Sequence, residues 1–210
     1  ITRLLLDSIQ QRGGLDLRDF YMARIRRLLP PLLFMLIVTS IVVGLWAPDT
    51  TKKFLTDAPF SLFGGMNWWL VFNHQDYFAA SGRPPLLQHT WSLAVEVQFY
   101  LLWPLILLIV LKYLGKKVIP AAALTIAAIS GVALMLVSFQ LDAASSSKVS
   151  HVYFGTDTHS IGLFLGAALA VSWIPQNLKE SVTRKAQDFI DGIGIVGFLG
   201  IIAAFLFINE

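Results

Sequence analysis

Cysteine is absent from the 210 residues, which excludes a disulfide framework, a thiolate metal site and a cysteine nucleophile. Charge is scarce: 14% of residues are Asp, Glu, Lys or Arg, where a soluble domain carries about 25%. There is no G-x-S-x-G elbow, no Walker loop and no H-E-x-x-H pair. The nucleophile-elbow hydrolases, P-loop NTPases and zincins therefore have no footing here. No internal repeat and no low-complexity tract interrupts the chain. The net charge of +3 is small, and the basic residues cluster beside apolar blocks. That pattern reads as membrane topology and not as nucleic-acid binding.

What is present is apolar sequence, 56% of the residues, gathered into blocks of about twenty. Twenty helical residues rise about 30 Å, the thickness of a hydrocarbon core. The reading is an all-α fold, a polytopic transmembrane helical bundle. Full spans are expected at 28–47, 92–111, 118–140, 159–174 and 192–208. Pro30 and Pro31 then fall in the first turn of their block, where a missing N–H does least damage. The block 58–73 is broken by Pro59, Gly64, Gly65 and Asn67. If it does not cross, 12 of the 16 Lys and Arg fall on one side, together with the RIRR cluster. By the positive-inside rule that side is the cytoplasm. Residues 58–73 are accordingly expected to form a re-entrant or interfacial helix on the outer side. The chain opens with Ile in an apolar run and stops after FLFINE, so a fragment of a larger membrane protein is expected.

The stretch 88–104, QHTWSLAVEVQFYLLWP, sets polar groups into a spanning block. Ser92, Glu96, Tyr100 and Trp103 follow spacings of four, four and three, which puts them on one helix face. A charge at mid-bilayer costs roughly 3 kcal/mol. Glu96 is therefore expected to be hidden in the bundle or in a wet cavity, with burial raising its pKa towards that of a general acid or base. The plainer alternative is an ion pair or hydrogen bond that fixes packing. His74, Asp76, Tyr77, His89 and Trp91 precede this helix on the outer side. His89 suits catalysis or a helix-end role equally, whereas His74 and His151 read as surface residues. Arg24 and Arg27, three apart in FYMARIRRLLP, share a face at the cytoplasmic start of a helix. They suit phosphate groups or plain positive-inside anchoring. Thr156, Asp157 and Thr158 could cap the helix that follows, and Gly162, Gly166 and Ala170 form a small-xxx-small packing face.

HTWSLAVEVQFYLLWP resembles the signature of the acyltransferase-3 family, the OafA-type integral membrane O-acyltransferases, in its usual form H-[ST]-W-S-L-[SA]-V-E-x-Q-F-Y-L-[LI]-[WFY]-P. VYFGTDTHSIGLFLGAALA, residues 152–170, is similar to a second family stretch, with His159 where Arg is usual. FYMARIRR carries the family's RxxR. The resemblance implies that residues 1–210 are part of one acyltransferase-3 membrane domain in a bacterial inner (cytoplasmic) membrane. It implies transfer of an acyl group, commonly acetyl, from acyl-CoA to a hydroxyl of an extracytoplasmic glycan such as O-antigen, peptidoglycan or exopolysaccharide. Arg24 and Arg27 would hold the donor. Glu96, with His89, would serve catalysis. Trp91, Ser92, Tyr100, Tyr153, Asp157, Thr158 and His159 would form the outer-face acceptor site. The family's further catalytic His, with an Arg upstream of it, would precede residue 1, so the piece alone is expected to lack activity. No bound cofactor, no metal and no nucleic-acid partner is expected. Partners are the bilayer, acyl-CoA as donor substrate and the glycan. The competing readings are a transporter or permease without covalent chemistry and a non-catalytic membrane scaffold.

Overall fold

The computed structural model describes residues 1–73, 85–139, 146–172 and 184–207, and all regular structure among them is helical. The chain divides into two units, 1–172 and 173–210. The second contributes one described helix, α10 (Arg184–Phe207). The first holds α1 (Thr2–Arg12), α2 (Leu17–Trp46), α3 (Thr51–Leu62), α4 (Met66–Phe72), α5 (Trp91–Tyr113), α6 (Ile119–Phe139), α7 (Ser146–Phe154), α8 (Thr156–His159) and α9 (Ile161–Ser172). Three helices among the described residues are long and apolar enough to cross a bilayer: α2, α5 with its preceding turn, and α6 with its preceding turn.

Helix α2 begins well before the apolar block. Asp16 caps it by accepting from the Asp19 N–H at 3.1 Å, and the helix then runs 30 residues. Pro30 and Pro31 therefore lie inside the helix and not in its first turn. Arg24 and Arg27 stand seven and ten residues into it, not at its start.

The segment 58–73 is two helices, not one. Helices α3 and α4 are joined through Gly64 and Gly65, with Gly64 at φ +69°. A Cβ on Gly64 would sit 2.9 Å from Val97 Cγ1 on α5, so the tip of this hairpin needs glycine both for its φ and for its approach. Phe60 and Trp69 stack at 4.0 Å across the hairpin. Its inner side packs on Val43, Leu87, Ala94 and Phe154, which ties α2, α5 and α7 together.

The block expected as a span at 159–174 is shorter. Helix α9 has 12 residues, about 18 Å, too few for a 30 Å core. Its start is fixed by Ser160 Oγ, 3.2 Å from Ser130 Oγ. Ser130 is 11 residues into α6, about 17 Å from that helix's lysine-bearing end. Helix α9 thus begins near mid-depth. Helices α7, α8 and α9 all pack along α6 and make a single crossing in three pieces, broken at Gly155.

A break at membrane depth frees backbone groups that lipid cannot satisfy. Here they are met from within. Phe154 O accepts from Asn67 Nδ2 at 3.1 Å, and Gly155 O accepts from Thr158 Oγ1 at 2.9 Å. Glycine is required at 155, because a Cβ there would lie 2.7 Å from His151 O.

Below the break the core is made by α1, α5, α6 and α9. Leu5, Trp103, Leu107, Ile119 and Ala123 are buried there. Ala123 and Ala127 on α6, with Ala167 and Ala168 on α9, allow close approach, which drives packing where lipid gives no hydrophobic gain. The indole N–H of Trp103 is satisfied by Thr2 Oγ1 at 2.9 Å.

Candidate active site

Polar groups collect where the α3–α4 hairpin, the Gly155 break and α5 meet. Gln98 on α5 donates through Nε2 to Gly64 O at 3.1 Å and to Asn67 Oδ1 at 2.9 Å. Asn67, which is fully buried, donates to Phe154 O and to Thr156 Oγ1 at 2.8 Å. Thr156 Oγ1 closes the ring by donating to Gln98 Oε1. The two long motif stretches of the sequence thus meet directly, through Gln98 and Thr156. Sequence reasoning missed this closed network. The available signal was two polar residues, Asn67 and Gln98, placed in otherwise apolar segments.

Next to the network lies a groove of about 580 Å³ between α2, the hairpin tip and α5. Its walls are mostly apolar, with Leu28, Leu32, Leu33 and Leu93 among them, and Arg24 and Tyr100 line it. The Arg24 Cζ lies 4.7 Å from the Phe20 ring centroid and 5.9 Å from that of Tyr100. Its Nε–H is buried and has no hydrogen-bond partner among the described residues. Tyr100 OH in turn donates to Glu96 Oε2 at 3.1 Å. One aromatic ring therefore separates the guanidinium from the carboxylate.

This arrangement revises the expected layout. Tyr21 OH, one turn before Arg24, donates to Leu101 O at 3.0 Å. Leu101 is 12 residues from the end of α5, about 18 Å above it. Arg24 stands near the middle of α5. Arg27 is exposed. Glu96 is exposed too, so the expectation of a buried carboxylate does not hold for this chain. At the level of Trp103 the shared face is covered by α1, which buries that indole.

His89 and Glu96 are not brought together. His89 is exposed in the turn Gln88–Thr90, its carbonyl accepting from Ser92 Oγ at 3.4 Å, and no hydrogen bond joins it to Glu96 among the described residues. The outer-face residues divide into three groups. Trp91 lies 5.2 Å from both the Tyr153 and His159 rings, and those two rings are 5.8 Å apart. Asp157 faces His151, whose Nε2 is 3.0 Å from both carboxylate oxygens. His151, read from sequence as a surface residue, is thus held by Asp157 beside the Trp68 ring at 5.8 Å. Thr158 is buried and committed to the backbone at the break. Tyr100 belongs with Arg24 and Glu96, not with the outer cluster. His74, Asp76 and Tyr77 lie outside the described residues.

The comparisons with known proteins agree with this architecture. A family model described as "Acyltransferase domain" matches residues 4–209. The chain is 33% identical to the peptidoglycan O-acetyltransferase OatA of Listeria monocytogenes, over all of this chain and 33% of that protein. It is 35% identical to the putative peptidoglycan O-acetyltransferase YrhL of Bacillus subtilis, over 90% of this chain and 30% of the relative. It is 34% identical to the O-acetyltransferase OatA of Staphylococcus aureus, over all of this chain and 34% of the relative. The chain spans about a third of the length of these curated relatives. No solved structure matches it. With both signature stretches in contact and the family model matched almost from end to end, the chain belongs to the acyltransferase-3 family.

Proposed function

We propose that this chain is the donor- and acceptor-contacting part of a membrane O-acetyltransferase that esterifies a peptidoglycan hydroxyl outside the cytoplasmic membrane. The observation that carries the reading is Arg24 in the groove beside Tyr100, whose hydroxyl bonds Glu96. An arginine at mid-depth is costly in lipid and marks function by default. The relatives' names supply the acceptor class.

In this mechanism the donor is an acyl-CoA, a thioester whose phosphates are anionic. Arg24, with an unused Nε–H, and Arg27 attract that anion, and the apolar groove takes the rest of the arm. The acceptor oxygen attacks the thioester carbonyl carbon. A C–O bond forms, the C–S bond breaks and the thiolate leaves. Glu96 receives the hydroxyl proton, and Tyr100 holds the carboxylate in place. The aromatic group of Trp91, Tyr153 and His159 faces the glycan at the outer end.

Glu96→Gln in the full-length protein tests this, with glycan acetylation measured at matched expression. Loss of 10²–10⁴-fold is expected for a general base. Undiminished acetylation removes Glu96 from the chemistry.

The broken α7–α9 crossing also suits a transporter, which uses discontinuous helices at its site. Substrate flux in proteoliposomes without covalent acyl transfer would decide for that reading.

A further inference from the structure

Among the described residues that line the groove, Arg24 is the one that carries a charge. The lining residues run from Arg24 to Leu33 on α2 and from Leu93 to Tyr100 on α5, and the Arg24 guanidinium lies beside the Tyr100 ring. The charge therefore stands at one end. The other polar side chains of the wall are bonded elsewhere. Ser61 Oγ pairs with Thr90 Oγ1 at 2.9 Å, and Tyr100 OH donates to Glu96, which does not line the groove. Leucine, isoleucine, valine and phenylalanine make the rest, apart from Gly64. The result is a hydrocarbon trough with a guanidinium at its end.

That distribution selects a ligand with an anionic head and an aliphatic tail. A guanidinium matches a carboxylate bidentately. Arg24 and Leu33 are nine residues apart on α2, about 13 Å. An extended chain advances roughly 1.2 Å per bond, so about ten carbons reach from one end to the other. The volume of about 580 Å³ lies within the roughly 300–1,000 Å³ of small-molecule sites. A bilayer phospholipid, with two longer chains and a headgroup, does not fit. Lipid already solvates an aliphatic tail as well as leucine does, so the walls alone draw no chain out of the bilayer. The selective contact is the one at Arg24, because a cation at mid-depth is costly and an anion beside it offsets that cost.

We propose that the groove is a fatty-acid site, holding one unbranched aliphatic acid of about ten carbons with its carboxylate on Arg24 and its tail along α2 towards Leu33. The acid fills the space that the donor arm takes under the reading above. The two therefore exclude each other, and free fatty acid inhibits transfer. Binding of the acid stands on the groove alone, whereas the inhibition rests on the donor reading.

The test uses the full-length protein in phosphatidylcholine nanodiscs, with decanoic acid bearing a diazirine near its methyl end as photoprobe and acetyl transfer as a separate assay. Expected is labelling of the α2 peptide around Leu33 or the α5 peptide around Leu93, competed by decanoate and at least tenfold less well by decanol. Arg24→Gln removes the charge, and Leu33→Trp fills the trough from an exposed position. Each should lower the labelling at least tenfold, and either one alone suffices if the other does not fold. In the transfer assay decanoate should raise the donor KM at least fivefold, with kcat within twofold. No labelling of these peptides, the result if a segment of the chain or a lipid tail fills the groove, overturns the site. Equal competition by decanol, or a folded Arg24→Gln protein labelled like the wild type, overturns it too. Labelling as expected with an unchanged donor KM overturns the inhibition. Labelling as expected in a protein that transfers no acetyl group supports the site and overturns the enzymatic reading.

Discussion

The hydroxyl of Tyr100 donates to Glu96 Oε2 across one helical turn, at 3.1 Å. The Arg24 guanidinium lies 5.9 Å from the centre of the same ring, so one phenol bonds the carboxylate and neighbours the guanidinium. Tyr100→Phe keeps the ring and removes only the donor. A hydrogen bond to a charged group contributes about 1.5–3 kcal/mol. If that holds in the transition state, kcat falls roughly 10- to 150-fold with donor KM little changed. Steady-state acetyl transfer measures both.

Arg24→Lys is expected to behave unlike a conservative change. Lysine keeps the charge but loses the planar fork and the stacking on Phe20 and Tyr100. Donor KM should rise at least tenfold, while Arg26→Lys, on an exposed position of the same helix, should leave it within twofold. Donor titrations of the two variants side by side check this.

Removing a member of the polar ring should cost stability before it costs chemistry. Asn67→Leu removes the donor to Phe154 O and the acceptor of one Gln98 amide hydrogen at a fully buried position. Each orphaned group costs about 1–3 kcal/mol. Thermal unfolding in detergent should show a clearly lowered midpoint, and Gln98→Leu should do the same. The double variant should lose less than the sum, because both changes break one network.

Gly64→Ala is expected to destabilise more than an alanine on an exposed turn of α2. It combines a left-handed φ of +69° with a 2.9 Å approach to Val97 Cγ1. Val97→Ala, introduced alongside it, should recover the part due to contact and none of the part due to backbone strain. Unfolding midpoints of the single and double variants separate the two.

Burial pushes the Asp57 carboxyl above its ordinary value of 3.8, against the opposing pull of the Trp69 hydrogen bond and Lys53. The folded state therefore favours the protonated acid. Its contribution to stability is full below about pH 3.8 and is lost as pH rises through the raised folded value. Asp57→Asn cannot ionise, so its unfolding midpoint should gain on the wild type as pH rises from 3.5 to 7. A constant difference across that range contradicts the shift.

Much of this was legible in the sequence, for physical reasons. Apolar runs of twenty residues announce spanning helices, and α2, α5 and α6 each contain such a run because lipid demands closed backbone hydrogen bonding along the whole crossing. The α7–α9 crossing was read as a single helix at 159–174, because hydropathy cannot tell a continuous helix from three pieces whose free carbonyls are met by distant side chains such as Asn67. Glu96 was marked by its place in an apolar helix. Its exposure could not be read from spacing, which puts Glu96 on one face with Trp103 although one is exposed and the other buried. Nor does spacing along one helix reveal a partner on another: Arg24 and Tyr100 lie 76 positions apart, and His151 meets Asp157 only because Gly155 lets the chain turn between them.

The hairpin tip and the helix break both reach α5 at Val97 and Gln98, about 10 Å from its first residue. Three stretches far apart in the chain are pinned to one another at that level, so a displacement forced on any one of them is passed to the other two.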